Sequence, residues 1–172
     1  MDQALPSSPP SQGQFRVQLQ KEQLVFSAAH FITFAGNICE RLHGHNYAVR
    51  AEVAGRLDEN RYVIDFIAFR DALAAIVARL DHRMLLPATH PHIQVTTSEN
   101  EVTARFEERR WLFPAEDCLI LPVSNTTAEE LARWIALEVR TALKPQVGSA
   151  LDWLEVGVDE NNGQWGICRI DW

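Results

Sequence analysis

The chain is poor in cysteine, has no excess of basic charge and contains no long apolar run, and each shortage removes a class of protein. Its three cysteines, Cys39, Cys118 and Cys168, are odd in number and widely spaced, which argues against a disulfide framework and fits a reducing compartment. The 16 basic residues are outnumbered by 23 acidic ones, for a net charge of −7. Broad nucleic-acid binding, which needs a basic face to displace counterions, is therefore not expected. No stretch approaches the ~18 apolar residues of a membrane span. Residues 1–14 have neither the basic start nor the apolar segment of a secretory signal. With Pro6, Pro9 and Pro10 among serines and glutamines, they have almost nothing to bury and read as a disordered leader. A cytoplasmic protein is the expectation. No internal repeat is visible.

What is present suits one domain over residues 15–172. At 172 residues and 47% apolar content, the chain can bury a core without disulfides or metal. Phe15–His30 alternates apolar and polar residues, the period of a half-buried strand, and Asn46–Leu57 repeats the pattern. Asp65 is placed to cap a helix whose apolar stripe is Phe66, Phe69, Leu73, Ile76 and Leu80. A second helix is predicted to start at Thr126 or Thr127, where Thr127 and Glu130 have capping-box spacing. It would bury Leu131, Trp134, Ile135 and Val139 and end before Pro145 and Gly148. Leu151–Val158 and Gln164–Ile170 read as closing strands about an Asn161-Asn162-Gly163 turn. Residues 87–123 form an insertion with a hairpin-like pattern, Ile93–Thr97 and Val102–Phe106, and a short strand at Cys118–Leu121. Two strands, two helices and two strands imply an α+β fold: an antiparallel sheet with both helices on one face.

The most informative tripeptide is His43-Gly44-His45. On a strand, residues i and i+2 project from the same face, so the two imidazoles converge. His30 closes the preceding strand and would lie opposite them in an antiparallel hairpin. Three neutral imidazoles with one open position make a catalytic zinc site, whereas a closed structural site takes four protein ligands. The plainer alternative is a turn beside a core histidine. His90 and His92 share the i, i+2 spacing but lie between prolines, and no role is assigned to them.

Cys39 precedes His43 by four residues, and its thiolate would be a fourth ligand, a base or a nucleophile, unless it is simply a buried thiol. Asp81-His82 is a carboxylate–imidazole pair suited to proton transfer, or a solvated helix end. Glu160 falls near a strand end and by itself reads as a loop acid.

Taken in order, Phe26-Ser27-Ala28-Ala29-His30, Cys39-x-x-x-His43-Gly44-His45-Asn46, Ile64-Asp65-Phe66, Leu80-Asp81-His82, Asn125-Thr126-Thr127-Ala128-Glu129 and Asp159-Glu160 resemble the 6-pyruvoyl-tetrahydropterin synthase and 6-carboxy-tetrahydropterin synthase family. The resemblance covers about residues 15–87 and 122–170. It implies a tunnelling fold, in which a four-stranded antiparallel sheet carries two helices, trimers close a barrel and two trimers stack into a homohexamer. It also implies Zn²⁺ on His30, His43 and His45, and 7,8-dihydroneopterin triphosphate as substrate. Cys39 would be the general base, with Asp81 and His82, contributed by a neighbouring chain, as the second proton-transfer unit. Glu160 would accept from the N–H and NH₂ edge of the pterin, and Thr127 would be a weaker pterin contact or only a helix cap.

Two features depart from the family pattern. One is the 87–123 insertion. The other is Glu40, three residues before His43, the spacing at which relatives forming 6-hydroxymethyl-7,8-dihydropterin for folate carry a glutamate in place of the cysteine. The expected reaction is carbon–oxygen lyase chemistry yielding 6-carboxy-5,6,7,8-tetrahydropterin for deazapurine (queuosine) synthesis. A 6-pyruvoyl product, or a dual enzyme also using Glu40 as an alternative base, is second. Outside the family, a zinc hydrolase would leave the pterin triphosphate intact. A zinc-stabilised non-enzymatic module would use Cys39 as a fourth ligand.

Overall fold

A computed structural model describes residues 14–36 and 38–172. The leader expected over residues 1–14 lies, apart from Gln14, outside the described residues. Strand β1 (Phe15–His30) turns Leu24, Phe26, Ala28 and His30 inward. Two short strands follow, β2 (Thr33–Phe34) and β3 (Ile38–Cys39), paired with each other. Strand β4 (His43–Gly55) begins three residues before the predicted Asn46, so the histidine pair lies within the strand. It runs antiparallel to β1 with His30 opposite His43 and Ala28 opposite His45.

Helix α1 (Phe66–Ala78) starts as predicted at Asp65, whose carboxylate accepts from the Ile67 and Ala68 N–H groups. Its buried face is Phe69, Leu73, Ile76 and Val77. Phe66 is exposed instead, although it falls on the same helical arc. Leu80 is buried but lies past the last helical turn. The chain continues through β5 (Arg83–Pro87), β6 (Gln94–Thr97), β7 (Glu101–Phe106), β8 (Arg109–Pro114), a 3₁₀ turn at Ala115–Asp117, and β9 (Cys118–Leu121). Helix α2 (Ala128–Val147) begins at the Thr127 cap and buries the four predicted residues. It runs through Pro145 to a cap at Gly148, beyond the predicted end. Proline is tolerated there because it lies in the exposed last turn, where water can take the unmatched Thr141 carbonyl. Strands β10 (Leu151–Asp159) and β11 (Trp165–Asp171) close the chain.

The main sheet has the order β11-β10-β4-β1-β5-β9. Its first four strands are the expected antiparallel set, and β5 and β9 extend it in parallel. The run Met84-Leu85-Leu86-Pro87 is buried throughout, as expected for a parallel strand covered on both faces. Leu85 joins the main core under the helices, while Met84 and Leu86 join a second cluster with Phe31, Ile93, Val102, Ala104 and Phe106. The insertion is thus a three-stranded sheet, β6-β7-β8, packed over β5. No helix of the described residues is long and apolar enough to cross a membrane.

Candidate metal centre

At one end of the sheet, period-two geometry puts His43, His45 and Tyr47 on the inner face of β4, and β1 ends opposite them at His30. One nitrogen from each of His30, His43 and His45 lies within 4.8 Å of the others. Tetrahedral zinc with bonds of ~2.0–2.1 Å separates its nitrogen ligands by about 3.4 Å, so small side-chain rotations close the site. The backbone between them must be thin. A Cβ on Gly44 would lie 2.9 Å from the Ala28 carbonyl oxygen.

The donor set suits a cation. His30 Nδ1 lies 2.8 Å from the Thr126 carbonyl oxygen, and His43 Nδ1 lies 2.8 Å from that of Arg41. Carbonyls only accept, so both Nδ1 atoms carry protons and both Nε2 lone pairs are left for a ligand. Burial holds the His45 imidazole below its ordinary range, with His43 and His30 adding to the effect and Glu160 opposing it. It is therefore neutral, the ligating form. Thr126 is itself fully buried, and its hydroxyl donates to the Phe31 carbonyl. The Asn125 amide fastens the same loop to Thr33.

Glu160 reaches the cluster from the turn after β10. One carboxylate oxygen lies 3.2 Å from His30 Nε2 and 3.6 Å from His45 Nε2. The adjacent His30 ring holds this carboxyl below its usual range, against the opposing effect of burial. Its turn is built by Asp159, whose carboxylate accepts from the N–H groups of Asn161, Gly163 and Gln164. Tyr47 completes the inner wall, with its hydroxyl 3.2 Å from His30 Nε2 and its phenol pushed well up by burial.

Cys39 and Glu40 take different directions. The Cys39 side chain packs against the second cluster, and burial pushes its thiol up, Arg109 opposing and Glu40 and Glu107 adding. The Glu40 carboxylate lies 3.8 Å from His43 Nε2. Asp81 and His82 pair at 2.9 Å. The Ser27 N–H, which Asp81 accepts, holds that carboxyl low, helped by His82. His82 is 83% exposed and shares an open cleft of about 590 Å³ with Ser27, Gly44, His45 and Asn46. No hydrogen bond joins this pair to the histidine trio among the described residues. Thr127 caps α2, accepting from the Glu130 N–H.

Tyr47 was not singled out from the sequence, although it continues the i, i+2 series of His43 and His45. The carbonyls of Thr126 and Arg41 carry no side-chain signal. His90 is structural: its Nδ1 accepts from the His92 and Ile93 N–H groups, so its Nε2 donates to the Thr33 hydroxyl.

The sequence profile of one family, described as 6-pyruvoyl tetrahydropterin synthase, matches residues 18–171. A Methanocaldococcus jannaschii protein, provisionally named 6-carboxy-5,6,7,8-tetrahydropterin synthase, is 35% identical over 146 residues, covering 84% of this chain and 88% of its own. The 6-pyruvoyltetrahydropterin synthase structure from Plasmodium vivax superposes with a TM-score of 0.86 at 25% identity, over 93% of this chain and 99% of that one. Its Plasmodium falciparum counterpart gives 0.83 at 27%, over 92% and 99%.

Proposed function

The chain belongs to the 6-pyruvoyl tetrahydropterin synthase family, and from that premise we propose that it is a zinc-dependent carbon–oxygen lyase. Its substrate is 7,8-dihydroneopterin triphosphate, and its main product is 6-carboxy-5,6,7,8-tetrahydropterin for deazapurine (queuosine) synthesis. The observation that carries the zinc assignment is the convergence of three histidine nitrogens whose second nitrogens are held by carbonyls. The name of the archaeal relative supports the product. Bound there, zinc would supply Lewis acidity toward the hydroxyls of the substrate side chain.

The chain's own residues supply positioning and proton transfer. With the His30 Nδ1 proton on the Thr126 carbonyl, its Nε2 would ligate the cation, and the Glu160 carboxylate beside it would accept from the N–H and NH₂ edge of the pterin. Thr127, already committed to the helix cap, contributes at most a secondary contact. Asp81 polarises His82, which serves as a proton-transfer unit on the exposed side of β1, within reach of a neighbouring subunit in a hexamer built from two trimers.

A second reading is favoured by one observation: Glu40 faces the histidines, whereas the Cys39 thiol lies in the second cluster. On that geometry Glu40 is the better-placed base. In the Plasmodium vivax enzyme a glutamate is the residue described as catalytic, and forms with alanine or cysteine in its place have been solved. A carboxylate base fits cleavage of the side chain to 6-hydroxymethyl-7,8-dihydropterin, so this chain would make both products. Mass analysis of the zinc-loaded protein incubated with 7,8-dihydroneopterin triphosphate tests both readings. Carboxy-pterin with acetaldehyde, lost in Cys39→Ala, supports the first; hydroxymethyl-pterin, lost in Glu40→Ala, supports the second. Intact substrate would remove both.

A further inference from the structure

The insertion reaches the backbone beside the histidines through a side chain of β8. Arg109, on β8, donates from one terminal nitrogen to the Cys39 carbonyl and from the other to the Glu40 carbonyl, each at 2.8 Å. Its guanidinium lies 4.6 Å over the Trp111 ring, and Trp111 stacks on Phe31 at 4.3 Å. Phe31 immediately follows His30. Two successive carbonyls on one rigid, planar fork leave that peptide little freedom to rotate. On the other side, the Glu40 N–H donates to the Ile32 carbonyl at 2.9 Å. The Cys39–Glu40 peptide is therefore fixed at both ends, and its orientation decides which of two adjacent side chains points at the histidines.

We propose that Arg109 is a positioning residue: it clamps the Cys39–Glu40 peptide so that the Glu40 carboxylate, and not the Cys39 thiol, faces His30, His43 and His45. The inserted sheet thereby becomes a determinant of which acid–base group the enzyme uses, and so of its product range. Cys39 ends β3 and Glu40 follows it, and successive side chains of extended chain point to opposite sides. Bringing the thiol out of the second cluster and round to the histidines therefore requires this segment to turn over, which the clamp opposes.

The catalytic consequence rests on the pterin-synthase reading, but the clamp can be read without any pterin. Cys39 alkylation by iodoacetamide, followed by peptide mass mapping, reports how often the thiol leaves the cluster, with Cys168 on the distant β11 as internal reference. Losing two charge-assisted hydrogen bonds in Arg109→Ala should raise the Cys39 rate relative to Cys168 by about tenfold or more. Arg109→Lys, which keeps the charge and the contact with Trp111 but lacks the fork, should give an intermediate rise and covers the case in which the alanine variant does not fold. Arg110→Ala, on the exposed neighbouring residue, should change nothing. In turnover, Arg109→Ala should lower kcat for the Glu40-dependent product with little change in KM, and raise the share of the Cys39-dependent one. An unchanged Cys39 rate in a folded Arg109 variant overturns the clamp. A raised rate without pterin turnover in the wild type would keep the clamp and sink the pterin reading.

Discussion

His30 and His43 offer the same nitrogen to a ligand, yet the protein holds them under opposite conditions. His30 is fully buried, with its Nδ1 on the Thr126 carbonyl and Tyr47 and Glu160 around its Nε2. The His43 ring is 37% exposed and is anchored only to the nearby Arg41 carbonyl. Removing either should abolish zinc binding, because two imidazoles remain where three are needed. Their effects on folding should differ. In the metal-free protein, His30→Ala leaves a buried carbonyl without its donor, at a cost of about 1–3 kcal/mol. His43→Ala should cost less than about 0.5 kcal/mol, as exposed substitutions usually do. Zinc stoichiometry and urea denaturation of the two apo variants measure both effects. Equal destabilisation would mean that the buried contacts of His30 are not what holds that end of β1.

At the scale of elements, the site depends on how closely β1 and β4 approach between the ligands. Gly44→Ala would put a methyl group 2.9 Å from the Ala28 backbone oxygen, and backbone cannot swing aside as a side chain does. The strands must part where His45 faces Ala28, so zinc affinity should fall by roughly 10–100-fold, the range seen when groups supporting a metal ligand are disturbed. All three ligands would remain, and far-UV circular dichroism should be unchanged. Isothermal titration with zinc decides the matter; wild-type affinity would show that the gap is not needed. These strands and both helices were legible because their burial follows a local period, two for β1 and β4, 3.6 for α2. The histidine trio was legible for the same reason, since i, i+2 on a strand is a statement about faces. Strands β5 and β8 were not. The run Met84-Leu85-Leu86 is apolar without alternation, and its neighbours β1 and β9 are parallel partners from distant parts of the chain. In β8 a charged residue, Arg109, takes an inward position because its partners are carbonyls 69 and 70 residues away. The direction of Cys39 depends on the same contact. The sequence pattern shows which faces are apolar, but not which distant backbone oxygen an arginine will find.

At the scale of the whole molecule, the exposed Asp81–His82 pair would serve the proposed reaction best if another surface covered it. A carboxylate–imidazole pair with a ring 83% in solvent is a weak catalyst alone, because water screens both groups. Against a second subunit it would be desolvated beside that subunit's histidines. Closed symmetric assemblies repeat the same junction at every interface, and β9 and β11, the edge strands of the main sheet, offer the strand pairing that would close a ring. A site shared in this way can be rebuilt from two broken chains. His43→Ala destroys the metal site and leaves His82 intact, whereas His82→Ala does the reverse. Each variant alone should be inactive with the pterin triphosphate. Co-expressed and purified as mixed oligomers through two different tags, they should regain activity at about one quarter of the junctions, the share in which random assembly pairs an intact metal site with an intact His82. If each site lay within a single chain, mixing could restore nothing. A mixed oligomer of confirmed composition that stays inactive would place His82 and the histidines of each site in the same chain, whereas full turnover by His82→Ala alone would place His82 outside the reaction.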